Sequence, residues 1–492
     1  MRIALIIPQN STADGKSFYD FEFYSKFLLS RRYLSYILAI PTLIAATPEK
    51  HEIRVFDENI EEIDYDWQAD LVGITVRTMF APRAYAISEM YRKRGVKTVL
   101  GGIHPSMCPD EALEHCDTIV SGEAENIWPL VLQDAEEGHL KRVYKAEESP
   151  DLKACPMPER SSLSIDRYFS HMIQTTRGCP FTCEFCSVYA FNGQNIRSKT
   201  VEQVVQEIRD INQVHSKYKH KQAIFFVDDN IVAHKSFARE LFLALKPHNI
   251  NWMCQAPISI SREDELLDLM KESGCGVIFI GIESISKENL ASMHKKMNLR
   301  YDFSDAIKNI QSHGILVQAS FIVGYDHDSE TTFQELIDFI QESNLLMPLI
   351  NILTPFPGTK LFERLEAEGR IFHKDWRLYD TKHVVFMPAS MPPEELLAGF
   401  KKIVRAVYSY DSILKKLHHY WDIDFWKCAN DEDPVKLTYR LLFALRLCSL
   451  LFSLKVKRSR FILKILPDVF RREVRISTIL AMMAHNDFAY SL

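Results

Sequence analysis

The sequence predicts an α/β protein with two parallel sheets in series. A doubly wound, Rossmann-like sheet is expected over residues 1–145, a linker over 146–165, a partial barrel of about six β/α units over 166–385, and a helical extension over 386–492. Three observations lead there. Short apolar runs recur in two series, helix-length amphipathic stretches separate them, and each run ends in a polar or glycine-bearing loop. Strand and helix must alternate in this way when parallel strands are joined by crossovers.

In the first series the apolar runs are 3–7, 53–56, 71–75, 98–100 and 118–120. Ligands of such folds bind at the carboxyl ends of the strands. Those ends carry Pro8-Gln9-Asn10, Asp57-Glu58-Asn59, Thr75-Val76-Arg77-Thr78, Gly101-Gly102-Ile103-His104-Pro105 and Gly122-Glu123-Ala124-Glu125. The paired glycines would let the backbone approach a bulky ligand; a tight turn is the alternative.

In the second series the runs are 223–227, 251–254, 277–280, 316–323 and 349–353, with amphipathic stretches at 201–215, 237–245, 263–272 and 333–343. Their ends deliver Asp228-Asp229-Asn230, Gln255, Gly281-Ile282-Glu283-Ser284, Gly324-Tyr325-Asp326 and Thr354-Pro355-Phe356-Pro357-Gly358-Thr359 to one mouth. That is where barrel enzymes place their chemistry.

Ahead of this series stands Gln174-Thr175-Thr176-Arg177-Gly178-Cys179-Pro180-Phe181-Thr182-Cys183-Glu184-Phe185-Cys186. Three thiolates at this spacing can hold three irons of a 4Fe-4S cluster from one loop and leave the fourth iron open to chelate a substrate. A four-cysteine zinc site usually comes as two CxxC pairs, and no second pair follows. Cys179, Cys183 and Cys186 are therefore the candidate metal ligands and catalytic centre.

Composition sets outer limits. At 492 residues the chain is too long for one ordinary core, and 47% hydrophobic with 25% charged residues is a globular composition. A net charge of -6 argues against nucleic acid as partner, since phosphate neutralisation needs a basic surface. The apolar stretch 3–8 is too short for a signal-peptide core, and the longest later one, 441–454, is broken by Arg446. A cytoplasmic location is expected, with the ten cysteines as free thiols or metal ligands.

The cysteine spacing, with aromatic Phe185 before the last thiol, resembles the radical S-adenosylmethionine (SAM) signature. The resemblance implies that SAM binds the open iron through its amino and carboxylate groups. One electron, from a flavodoxin- or ferredoxin-type donor, then cleaves it to a 5'-deoxyadenosyl radical. It implies Phe185 near the adenine, Asp228, Asp229 and Asn230 at the turn that meets SAM's amino group, Glu283 at its ribose or methionine portion, and Ser320 with Gly324 beside the adenine. Gln255 is a candidate contact to SAM or substrate.

The five loops of the first unit resemble the cobalamin-binding domain found in front of many radical SAM proteins. This implies a cobalamin site at Thr75, Arg77, Thr78, Gly101, Gly102, His104, Gly122 and Glu123. The Asp-x-His-x-x-Gly motif of that domain reads Asp57-Glu58-Asn59-Ile60-Glu61-Glu62 here, so Asn59 stands where a cobalt-ligating histidine would. Arg77, Thr78, His104 or water is left for the lower face of the cofactor.

Asp375-Trp376, Tyr379-Asp380 and Met391-Pro392-Pro393-Glu394-Glu395 resemble the extension of a branch that includes hopanoid C-2 methylases. The resemblance implies methylation of an unactivated carbon, with cyclisation, ring rearrangement or carbon-carbon coupling as the alternative, and a degenerate binding protein as a third reading. Over 436–475, Arg440, Arg446, Lys455, Lys457, Arg458 and Arg460 interleave with leucines and phenylalanines. Such a stretch can lie in anionic headgroups at the inner face of a membrane, which suits a lipid substrate, or pack on the barrel with its charges in water.

Overall fold

A computed structural model describes residues 1–9, 33–215, 223–423, 425, 445, 456–471 and 476–492. Asn10 of the first loop and most of the basic stretch, including Arg440, Arg446 and Lys455, lie outside the described residues.

The first sheet has six parallel strands: β1 (Arg2–Ile7), β2 (Glu52–Asp57), β3 (Leu71–Thr75), β4 (Lys97–Gly101), β5 (Thr118–Ser121) and β6 (Val143–Lys145), in the order β2-β1-β3-β4-β5-β6. Its central strands are apolar on both faces because both are covered. Ile3 and Leu5 pack with Trp128 and Val131, while Ala4, Ile6 and Ile74 pack with Ala84, Ile87 and Tyr91. The strand order reverses between β1 and β3, which opens a crevice at their carboxyl ends. Strand β6 was not expected: only Tyr144 of its three residues is buried, too little for a periodic signal.

The second sheet is a half-barrel of β7 (Ser170–Ile173), β10 (Ala223–Phe226), β11 (Trp252–Gln255), β12 (Cys275–Glu283), β13 (Leu316–Val323) and β14 (Leu349–Ile352), all parallel and adjacent in chain order. A two-stranded ribbon, β8 (Thr176–Arg177) with β9 (Arg197–Ser198), lies between β7 and β10 in sequence. Side chains alternate across the sheet. Ile224, Phe226, Cys254, Ile278 and Phe321 are buried under the helices Val201–His215, Lys235–Leu245, Asp264–Glu272 and Glu330–Glu342. Their neighbours Phe225, Met253, Phe279, Ser320 and Ile322 are half-buried and line the concave side.

Packing crosses the expected domain edges. After β14 the chain returns to the first sheet, where Phe362, Trp376, Tyr379 and Val385 share a core with Ala84 and Tyr91. At the start of the helical extension, Leu396, Phe400, Ile403 and Val407 of helix Pro393–Val407 pack into the barrel core. A Cβ on Gly399 would overlap the Phe333 ring, so the helix reaches this depth only with glycine there. The linker, though irregular, is anchored: buried Arg160 donates to Tyr36 Oη at 2.6 Å and to Met172 O at 2.8 Å and is ion-paired with Glu207.

Helices Tyr410–Asp422, Val456–Arg471 and Ile476–Ser491 build a smaller core around Leu417, Phe461, Ile465 and Met483. Arg458 turns inward onto Asp487, while Arg460 and Lys464 are exposed. Among the described residues no helix is long and apolar enough to cross a membrane.

Candidate active site at the mouth of the half-barrel

The cysteine loop leaves β7 through Thr175 and Thr176 and closes at the β8-β9 ribbon. Gly178 has φ +100, and a Cβ there would overlap the Asn195 carbonyl, so only glycine lets the loop cross at its neck. Inside, Cys179 N donates to Gly193 O at 3.2 Å and Cys186 N to Cys183 O at 3.1 Å. The carboxylate of Glu184 accepts from Tyr325 Oη at 2.7 Å and Arg364 Nη2 at 2.9 Å, which ties the loop to the segments after β13 and β14.

The three thiols feel one another. Burial pushes Cys179 up, with Cys186 adding to it, and pushes Cys186 up to about 11, with Cys183 adding. Among the described residues only His104, Cys108 and Glu111 bring three ligand atoms within 4.8 Å of one another. The donor type fits the cluster: Cys179, Cys183 and Cys186 are free, half-buried thiols on one loop, able to take three corners of an iron-sulfur cube.

Asp228 differs from the role expected of it. It is fully buried, and its carboxylate accepts from the backbone and hydroxyl groups of both Thr175 and Thr176, including Thr175 Oγ1 at 2.6 Å and Thr176 Oγ1 at 2.7 Å. It anchors the root of the cysteine loop: Oδ1 takes four of these bonds and Oδ2 one, from Thr175 N at 3.1 Å, and full burial closes the group off from open space. Asn230 Oδ1 accepts from Val232 N at 3.2 Å. Asp229 is the member of the turn that faces the loop: burial, with Asp228 adding, pushes its carboxyl up to about 6. Gln255 is exposed at the end of β11, and Phe185 packs half-buried against the barrel core.

Glu283 has φ +69 at an irregularity of β12 and pairs with Lys295 at 2.5 Å. A Cβ on Gly281 would overlap the Glu283 carboxylate and stand 2.7 Å from Lys295 Nζ, which is why glycine precedes the pair. Burial opposes the charge on Lys295, but Glu283 and Cys183 raise its pKa above the ordinary lysine value. Sequence reasoning missed Lys295, because nothing periodic or motif-like marks a lysine in a turn 12 residues beyond its partner. Ser320 Oγ accepts from Asn351 Nδ2 at 3.2 Å. Gly324, at φ +103, would bring a Cβ to 2.7 Å from Leu396 Cδ2, so it serves the docking of helix Pro393–Val407.

In the first unit, Gly122 has φ +84 with no atom within 4 Å of where a Cβ would stand, and Gly101 has only Val120 near that distance. The ends of β4 and β5 therefore face open space that side chains would fill, with Thr75 half-buried and Arg77 exposed beside them. That cradle fits a bulky cofactor. Other expected members do not face it. A Cβ on Gly102 would stand 2.9 Å from Val76 O, so this glycine serves a backbone crossing. His104 is fully buried, with Nε2 3.0 Å from Tyr85 Oη and 3.6 Å from Glu111, its ring edge-on to Trp376. Thr78 is buried in a single 3-10 turn. Glu123 is ion-paired to Arg177 and Arg197. Asp57 accepts from Tyr168 Oη at 2.7 Å and from Asn59 Nδ2 at 2.6 Å, so the motif that would present histidine is spent on the seam between the two sheets. Of the residues considered for the lower cobalt face, Arg77 alone is exposed.

Residues 173–340 match the radical SAM superfamily, 43–132 the B12 binding domain and 359–489 a domain of unknown function, DUF4070. Bacteriochlorophyllide d C-12(1)-methyltransferase of Chlorobaculum tepidum is 32% identical over 398 residues, covering 78% of this chain and 86% of that protein. Hopanoid C-2 methylase of Rhodopseudomonas palustris is 28% identical over 391 residues, 76% of this chain and 71% of that protein. The fold is shared with the cobalamin-dependent SAM radical enzyme OxsB (TM-score 0.62, 14% identity, 100% of this chain and 79% of that one). It is also shared with the radical SAM methyltransferase TsrM of Kitasatospora setae (TM-score 0.61, 16% identity, 94% and 98%). With both cofactor domains in one chain and a relative at 32% identity across most of its length, the chain belongs to the cobalamin-dependent radical SAM family that includes the bacteriochlorophyllide and hopanoid C-methyltransferases.

Proposed function

We propose that the chain methylates an unactivated carbon of a lipid-like or polycyclic substrate held at the mouth of the half-barrel. One observation carries the reading: the three-cysteine loop meets the Glu283-Lys295 pair at the end of β12, at the mouth of a sheet whose half-buried side chains include Phe225, Met253, Phe279 and Ile322, and its neck pairs with Glu123 beside the glycine-bordered crevice. When bound, the cluster with SAM supplies a 5'-deoxyadenosyl radical and cobalamin supplies a methyl group.

The chain's part is placement and exclusion of water. Cys179, Cys183 and Cys186 hold three irons. Asp229, which accepts from Asn192 Nδ2 at 3.5 Å, and the Glu283-Lys295 pair offer SAM a carboxylate and an ammonium beside the thiols, with Phe185 and Ser320 on the adenine side. Thr75, Arg77, Gly101 and Gly122 take cobalamin. The aromatic pair Phe225 and Phe279, with ring centroids 5.4 Å apart, gives the substrate an apolar bed.

Units 1–145, 166–385 and 386–492 with a linker at 146–165 belong to the same reading, as does a flavodoxin- or ferredoxin-type donor. Peripheral contact with an anionic membrane is supported by exposed Val456 and Leu463 beside Arg460 and Lys464.

The test is anoxic turnover with SAM labelled in its methyl group, using bacteriochlorophyllide d and a hopanoid as candidate substrates. Labelled product is expected together with deoxyadenosine. An altered product that carries no label would refute methylation and favour cyclisation or rearrangement by the same radical.

A further inference from the structure

We propose that Glu123 is a positioning residue that sets the cobalamin crevice against the cysteine loop, so that removing it displaces the two cofactor sites relative to each other without emptying either. The inference rests on the function proposed above. Its basis is the neck of the cysteine loop, where β8 and β9 pair antiparallel with Arg177 directly opposite Arg197. Like charges in that register repel, and these two are only 15% and 17% exposed.

Glu123, 5% exposed, enters between them from the other sheet. Arg197 Nη1 donates to its Oε2 at 2.8 Å and Nη2 to its Oε1 at 2.5 Å, a two-pronged pairing, while Arg177 Nη1 donates to Oε2. Arg177 Nη2 pairs with Glu125 at 2.8 Å, and Arg197 Nη1 also donates to Pro150 O at 2.9 Å. Two carboxylates thus neutralise two guanidiniums in a largely buried cluster.

The placement in sequence is what gives the cluster its consequence. Gly122, which borders the open crevice, immediately precedes Glu123, and Gly178 and Cys179 immediately follow Arg177. Glu123 and Glu125 both tie this neck to the first sheet, but only Glu123 joins the two arginines and adjoins the crevice glycine. Other seams, such as Tyr168 on Asp57 and Trp376 on Glu111, involve neither the cysteine loop nor its neck, so they keep the sheets together when Glu123 is gone. Without it, Arg177 keeps Glu125 while Arg197 keeps only Pro150 O among the described residues, so the two opposed arginines are no longer clamped together by one carboxylate of the first sheet.

The test uses anoxic full-length holoenzyme carrying cob(II)alamin and a dithionite-reduced cluster, two paramagnets that broaden each other's electron paramagnetic resonance signals according to their separation. In Glu123→Ala, iron, sulfide and corrinoid contents stay at wild-type levels while the mutual broadening is lost or shifted. Unchanged broadening in the fully loaded variant overturns the proposal, as does a doubly loaded wild type that shows no broadening to begin with. Should Glu123→Ala fail to retain its cofactors, the isosteric Glu123→Gln decides: a shifted broadening at full loading supports positioning, and loss of either cofactor there too overturns it, since Glu123 would then be needed for retention. A wild type that binds no corrinoid or no cluster refutes the proposed function, and that result appears before any variant is made.

Discussion

Replacing Asp228 by alanine tests whether a buried carboxylate, and not a cofactor contact, holds the root of the cysteine loop. Thr175 and Thr176 are 0% and 1% exposed, and Asp228 receives both of their amides and both of their hydroxyls. Truncation removes the acceptor and leaves the donors in place. The hydroxyls can rotate toward other acceptors; the two amides cannot. A buried donor without a partner costs roughly 1–3 kcal/mol, so the pair loses about 4 kcal/mol of local stability. At about 1.4 kcal/mol per factor of ten, the opening equilibrium of this segment rises about a thousandfold. Hydrogen exchange followed by mass spectrometry on a peptide spanning 170–178 reads that opening directly. Asp228→Asn, which keeps one acceptor oxygen, should lie between wild type and Asp228→Ala. Protection in Asp228→Ala within about tenfold of wild type would refute the assignment, because no plausible repartnering of two buried amides leaves so little trace.

Three further outcomes are expected. Cys183→Ala should abolish deoxyadenosine formation and lower iron content while leaving corrinoid bound; an unchanged yield sinks its role as a ligand. Lys416 is fully buried, donates to Val407 O at 3.3 Å as its one bond among the described residues, and burial pushes its ammonium down to about 7 from 10.5. Between those values the unfolded chain binds the extra proton, so stability rises with pH across the window and the penalty is fully present below it. Lys416→Met should therefore raise Tm most at about pH 6 and little at about pH 10; an equal change at both contradicts the charged-lysine account. Gly399→Ala should push helix Pro393–Val407 off Phe333 at a cost of about 1–3 kcal/mol, read as faster exchange in that helix and in Glu330–Glu342; wild-type protection in both would show that the ring simply moves aside.

Much of this protein was legible along the chain. The runs at 71–75 and 316–323 coincide with β3 and β13, and the other expected strands end within a residue or a few of the observed ones. Apolar periodicity is a local property, and a strand buried on both faces has little freedom to be anything else. The cysteine loop is local as well, since three ligands of one cluster can come from eight consecutive positions.

The roles of polar residues at strand ends were decided elsewhere. Glu123 and Gly122 looked alike as crevice residues, yet one turns to arginines 54 and 74 positions away while the other borders open space. His104 and Glu111 are covered by Trp376, 265 residues beyond Glu111, and Asp57 is claimed by Tyr168 at a separation of 111. Local spacing sets backbone path and which loops gather at one mouth. Whether a carboxylate or imidazole in those loops meets a cofactor or another side chain depends on which distant charge or ring packs over it, and that is settled only when the two sheets and the returning segment close on each other.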